Sequence, residues 1–205
     1  TMRADVAVVG GGILGLAHAW AAAKRGLSVV LFERDGRAAG ASVRNFGMVW
    51  PIGQSPGSMH RTALHSRSLW QELVNARIVW ADPCGSLHLA YHPDEFAVIE
   101  EFVGRRGINE FDCEMMSPAK ILQRYPAVNP DGLLGGMFSP TEMCVDPRAV
   151  IATLPRFLAE KYGVTLRFGT LVRDVQMPRL MTSDGESWQA DRVVLSLIHI
   201  SEPTR

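Results

Sequence analysis

Apolar positions along this chain change their period several times, and each change marks an element. Val6 to Val9 is a short β-branched run, the pattern of a strand covered on both faces. Ile13 to Arg25 is rich in alanine and predicts a helix, with Gly26 closing it. Leu27 to Phe32 is a second apolar run, so the chain opens on a strand–helix–strand unit. Leu64, Leu69, Trp70, Leu73 and Val74 then recur at helical spacing and predict an amphipathic helix over His60 to Ala76, with Trp70 in its core face. From Gly85 to Tyr91 the period falls to two: Leu87, Leu89 and Tyr91 alternate with Ser86, His88 and Ala90, as in a strand. Pro93 opens another helix, to Val103. Short strands are expected at Phe111 to Met115 and Gly135 to Phe138, on either side of a helix from Pro118 to Arg124.

The last quarter returns to strand and helix. Asp146 is an N-cap, Pro147 a first helical residue, and Ala149, Val150, Leu154, Phe157 and Leu158 keep helical spacing up to the stop at Gly163. Val164 to Phe168, Leu171 to Val175 and Ala190 to Val194 read as strands, with a hairpin turn at Asp184-Gly185. The fold class is α/β, and the elements between the two ends form a second subdomain inserted into the first.

The first unit also carries chemistry. Gly10, Gly12 and Gly15 stand at the spacing G-x-G-x-x-G between strand and helix, and Glu33 ends the second strand. Gly10 permits the tight turn, Gly12 lets a pyrophosphate approach the backbone, and Gly15 lets helix and strand pack closely. A helix N-terminus there offers free N–H groups and a dipole that favours an anion. Glu33 can accept both hydroxyl protons of an adenosine ribose. An acid at that position favours FAD or NAD over NADP, and the fingerprint by itself leaves both open.

A second small-residue loop follows: Gly40-Ala41-Ser42-Val43-Arg44-Asn45-Phe46-Gly47. Its small residues allow a backbone to pass close to a ligand, and Ser42, Arg44 and Asn45 supply donors. Taken together, the fingerprint, Phe32-Glu33-Arg34 and this loop resemble the D-amino-acid-oxidase-like FAD-dependent oxidoreductases, the group that includes glycine and sarcosine oxidases. The run Arg44 to Gln54, with Gly85 to Tyr91, resembles more narrowly a bacterial subgroup linked with aminophosphonate breakdown.

The resemblance implies a Rossmann-like FAD-binding domain with an inserted, largely antiparallel α+β substrate subdomain. Its segments would be 1–50 and 146–194 for FAD, 51–145 for substrate. It implies FAD as cofactor, with Gly10, Gly12 and Gly15 at the pyrophosphate, Glu33 at the adenosine ribose and Ser42 at the phosphates, and with Ile13 and Arg34 also among the cofactor-binding residues. Arg44, Asn45, Gly47 and Met48 would lie near the isoalloxazine, and Val172 where a backbone contact reaches the adenine. The reaction implied is hydride transfer from the C–H beside the nitrogen of a small amine or amino acid, with oxygen or a quinone as final acceptor. Arg44 can hold an anionic substrate head with its guanidinium fork or pair with a structural acid. An FAD monooxygenase of the hydroxylase type shares the fingerprint, and a non-catalytic nucleotide-binding fragment is a third reading. No catalytic dyad or triad stands out.

Composition narrows the rest. Lys plus Arg and Asp plus Glu are 21 each, so no net field attracts nucleic acid or an anionic membrane. No stretch is long and apolar enough for a membrane span, and a cytoplasmic location is expected. Cys84, Cys113 and Cys144 are odd in number and widely spaced, which reads as free thiols. His60 and His65 do not share a helix face, His88 and His92 sit in strand and turn, and no metal site is expected. Met137, Met143 and Tyr91 read as core residues, or as a pocket lining. Leu195 to Arg205 resembles the translation of a sequencing-library adapter. On that reading 195–205 is an artefactual tail and the chain is truncated, inactive as written; the alternative is a genuine polar C-terminus.

Overall fold

The computed structural model describes residues 2–106 and 110–197. In chain order the elements are β1 (Met2–Val9), α1 (Ile13–Ala23), β2 (Val29–Glu33), β3 (Met48–Val49), α2 (Ser58–Asn75), β4 (Ala81–Asp82), β5 (Ser86–Ala90), α3 (Pro93–Arg106), β6 (Glu114–Met116), α4 (Pro118–Arg124), β7 (Gly135–Ser139) and β8 (Met143–Val145). Then come α5 (Pro147–Tyr162), β9 (Thr165–Phe168), β10 (Val172–Gln176), β11 (Arg179–Thr182) and β12 (Ser187–Leu195). A 3-10 turn spans Ala41–Arg44, and another spans Pro51–Gly53.

The chain forms two units. One joins the residues up to Phe46 to those from Asp146 onward; the other is Gly47–Val145. The first is built on four parallel strands in the order β12, β1, β2, β9. Central β1 and β2 are buried along most of their length, which is why they read as unbroken apolar runs. On one face α1 packs against β1, β2 and α5, burying Leu16, Ala19 and Trp20. Over the other, β10 and β11 form an antiparallel meander with the start of β12. Leu180, Trp188 and Ala190 close there on Ala7, Val9, Val30 and Phe32. Phe32 and Trp188 meet edge to face at 5.5 Å, worth about 1 kcal/mol beyond the area buried.

The termini of α5 follow from local chemistry. The Asp146 carboxylate accepts from the backbone N–H groups of Arg148 and Ala149 at 2.9 and 3.2 Å, Pro147 occupies the first turn, and Gly163 stops the helix at φ 69°.

The second unit holds two three-stranded sheets, β3-β8-β4 and β5-β7-β6, all antiparallel. Leu87 and Leu89 of β5 pack with Met116, Ile121 and Phe138 on one cluster, and Met137 packs with Ile52, Phe111 and Cys113 on another. The strand expected over Phe111 to Met115 is shorter and later, Glu114–Met116. Asp112 takes φ 51°, which breaks an extended run, and frees Phe111 to turn into the core against His60 and Phe102. In α2 only His60 and Leu73 are fully buried, and Trp70 is half-buried.

β12 runs one residue past the expected end. Leu195 pairs with Val9, and the Ser196 N–H donates to the Val9 carbonyl at 2.8 Å. Of the expected tail, residues 198–205 lie outside the described residues. Among the described residues no helix is long and apolar enough to cross a membrane.

Candidate functional site

The site in the first unit is assembled where β1 ends. Gly10 leaves the strand at φ 112°, and its N–H donates to the Phe32 carbonyl at 2.8 Å, tying the turn to β2. A Cβ on Gly15 would lie 1.9 Å from the Gly10 carbonyl oxygen, so only glycine lets α1 start this close to the turn. Gly12 is the N-cap of α1 and brings no side chain, and the first turn holds no acidic residue. The helix terminus therefore carries its positive dipole end with no protein carboxylate among its own residues to cancel it.

Two side chains from further along converge on this turn. The Glu33 carboxylate accepts from the Gly11 N–H at 2.8 Å through Oε2 and from the Asp35 N–H at 3.1 Å through Oε1. A carboxylate has about four acceptor positions, so two bonds leave capacity for a vicinal diol. Ser42 Oγ accepts from the Ile13 N–H at 2.9 Å, bringing the 3-10 turn Ala41–Arg44 onto the start of α1. The return segment closes the other side of β2: the Thr170 N–H donates to the Glu33 carbonyl and the Gly169 N–H to the Asp35 carbonyl, both at 2.9 Å. Val172 follows two residues later, half-buried against the first unit's core.

Gly10, Gly12, Ile13, Gly15, Glu33 and Ser42 thus meet in one place. Arg34 is exposed and pairs with Asp35 at 3.5 Å. Arg44 and Asn45 are exposed on the same turn, and among the described residues Arg44 makes no ion pair. Gly47 and Met48 belong to the second unit, where the Val145 N–H donates to the Gly47 carbonyl and Met48 pairs with Cys144. Among the described residues no three His, Cys, Asp or Glu side chains cluster as metal ligands would.

The second unit holds a residue that sequence reasoning passed over. Glu142 is 3 % exposed, and its carboxylate accepts from the Ile52 N–H at 3.0 Å, Ser86 Oγ at 3.1 Å and Thr141 Oγ1 at 2.8 Å. It pins the Pro51–Gly53 turn, which follows Met48–Trp50, to the strand carrying His88. His88 and Trp50 lie stacked with ring centroids 6.0 Å apart. A lone glutamate between Thr141 and Met143 gives no periodic signal; only its burial identifies it. Met137 and Met143 are buried core, and the Tyr91 hydroxyl donates to the Asn129 carbonyl. The three cysteines are free.

A glycine turn at a parallel strand end, a helix N-terminus with no acidic residue in its first turn and a carboxylate with spare acceptor positions fit the diphosphate and ribose of a dinucleotide. Comparison with known proteins agrees. The family described as FAD dependent oxidoreductase (DAO) matches residues 5–197. The mitochondrial dimethylglycine dehydrogenase of Rattus norvegicus is 28% identical over 200 residues, covering 94% of this chain and 23% of that protein. The glycine oxidase of Geobacillus kaustophilus is 27% identical over 208 residues, covering 96% of this chain and 55% of that protein. Its crystal structure superposes with a TM-score of 0.79. The L-proline dehydrogenase of P.horikoshii, 20% identical, shares the fold with a TM-score of 0.81 over 95% of this chain and 53% of its own. The chain therefore spans about half or less of the length of these relatives.

Proposed function

We propose, from the premise that the chain belongs to the DAO family of FAD-dependent oxidoreductases, that it serves to oxidise the C–N bond of a small amine or amino acid. The observation that carries this reading is the Glu33 carboxylate, seated on the glycine turn with acceptor positions to spare. FAD, the cofactor of this family, supplies when bound the acceptor for a hydride from the C–H beside the substrate nitrogen. The chain's own part is binding and orientation. Gly10, Gly12, Gly15 and the Ile13 terminus of α1 hold the pyrophosphate, Glu33 and Arg34 the adenosine end, Ser42 the phosphates, and Val172 the adenine side. On the family likeness, Gly47 and Met48 would lie near the isoalloxazine.

Arg44 and Asn45 face the substrate end. The Arg44 guanidinium, exposed and without an ion pair among the described residues, offers a bidentate fork to an anionic head, carboxylate or phosphonate. With FAD in place the product would be an imine open to hydrolysis by water, with oxygen or a quinone as final acceptor and the cytoplasm as the location read for the reaction. An aminophosphonate is the finer substrate reading, on the likeness of the Arg44 to Gln54 run.

The test loads the expressed protein with FAD and adds amines without oxygen. Bleaching of the flavin band by a primary or secondary amine supports the reading. With Arg44→Ala, the concentration of an anionic substrate needed for half-bleaching should rise about tenfold or more, as for one lost charge-assisted pair. A protein that stays colourless overturns the flavoenzyme reading, and bleaching by NAD(P)H alone moves it to a monooxygenase.

A further inference from the structure

The sheet β3-β8-β4 brings together two of the three cysteines. Asp82, the last residue of β4, stands opposite Cys144 of β8, and Cys84 follows two residues beyond the end of that strand. The backbone is held on both sides of Cys84: Asp82 by the ladder, and Gly85 by an N–H bond to the Glu142 carbonyl at 3.1 Å. In this frame the Cys84 thiol donates to Cys144 Sγ at 3.9 Å, across 60 positions of sequence. A disulfide needs about 2.05 Å between sulfurs, and rotation about the two Cα–Cβ bonds can close a gap of about 2 Å. The sulfurs differ in access. Cys84 is exposed, Cys144 half-buried, and Cys113 lies buried among Ile52, Phe111 and Met137.

We propose that Cys84 and Cys144 are an oxidation site for peroxides, converted by hydrogen peroxide or an organic hydroperoxide into an internal disulfide. The exposed sulfur reacts first. Cys84, as thiolate, attacks one peroxide oxygen; the O–O bond breaks, Cys84 becomes a sulfenic acid, and the other oxygen leaves as hydroxide and takes up a proton. The Cys144 sulfur then attacks the Cys84 sulfur. The S–S bond forms, the S–O bond breaks, and the departing hydroxide leaves as water with the Cys144 proton. Two thiols lose two electrons and two hydrogens, and one hydrogen peroxide becomes two waters. Burial, then the contact with Cys84 and the nearby Asp82 carboxylate, push the Cys144 thiol up, which disfavours its thiolate and leaves the first attack on the peroxide to the exposed Cys84. Cys144 is also paired with Met48 on the other side of β8, so the bond would brace the strand against which Met48 is laid.

The test reduces the purified protein, adds hydrogen peroxide in steps, denatures it and alkylates the remaining thiols. The alkylated thiols should fall from the three present to one. The mass should drop by two hydrogens with no oxygen added, a non-reducing digest should join the Cys84 and Cys144 peptides, and dithiothreitol should restore all three thiols. Cys113→Ser should oxidise in the same way. Cys144→Ser should leave a sulfenic acid on Cys84 that dimedone traps, and Cys84→Ser should yield neither product. Three thiols surviving, sulfinic acid accumulating on wild-type Cys84, or a disulfide between two chains would each overturn the proposal. Failure of the flavin test above leaves this one readable, because no step here uses the cofactor.

Discussion

Gly15→Ala tests whether close approach, and not glycine flexibility, shapes the nucleotide turn. The added Cβ would lie 1.9 Å from the Gly10 carbonyl oxygen and 3.0 Å from its carbon, both backbone atoms. To restore an ordinary contact of about 3.5 Å, the start of α1 must move about 1.5 Å from the turn. Forced expansion of a packed site costs about 3 kcal/mol, and alanine returns about 1 kcal/mol of helix propensity, so the net loss is about 2 kcal/mol. For a chain of this size that lowers Tm by about 4–8 °C. The same shift pulls the helix N–H groups from the phosphates, and losing one charge-assisted bond weakens FAD binding about tenfold or more. The control is Gly104→Ala in α3, where an added Cβ meets nothing within 4 Å. That substitution should raise Tm by about 1–3 °C, since it gains only propensity, about 0.5–1 kcal/mol. Thermal melts and flavin titrations of the two variants decide the matter. If Gly15→Ala raises Tm alongside Gly104→Ala and keeps its FAD affinity, the close-approach argument fails.

Three further outcomes follow from particular contacts. Glu33→Gln removes the charge from a group bonded to the Gly11 and Asp35 N–H groups; flavin fluorescence titration should show FAD binding weakened about tenfold or more, and unchanged affinity would refute the ribose role. Glu142→Ala strips the Ile52 N–H of its buried acceptor, while Ser86 and Thr141 keep contacts to His88 and Ser139. The expected loss is about 3 kcal/mol, or 6–12 °C in a thermal melt, with Glu142→Gln falling between it and wild type. Asp5 is held below its usual carboxylate value by the Ser28 hydroxyl and then the Ser28 N–H. A lowered carboxylate stabilises the fold above its unfolded pKa and ceases to as pH falls through the folded one. The Tm gap between wild type and Asp5→Asn, open at pH 6, should therefore close below the ordinary value of 3.8; a gap that persists in acid would refute it.

The chain by itself determined whatever depends on near neighbours. The βαβ unit, the start of α5 at Asp146-Pro147 and its stop at Gly163 were legible because caps, turns and burial period act over a few residues. The glycine spacing and the strand-end acid likewise announced a nucleotide turn. Tertiary structure decided what depends on sheet register. Only the fold seats Ser42 on the Ile13 N–H, 29 positions away, and Glu142 on the Ile52 N–H, 90 positions away. It carries α5 straight through Pro155, because Leu154 and Leu158 are buried and hold the helix despite the missing bond. It makes a strand of Arg179–Thr182, too short and too polar to be read in advance, by pairing it on both edges. It also turns two cysteines read as distant into neighbours. Their approach is set by the Asp82–Cys144 ladder, and a ladder's register is a property of two segments together, which no single stretch of sequence contains.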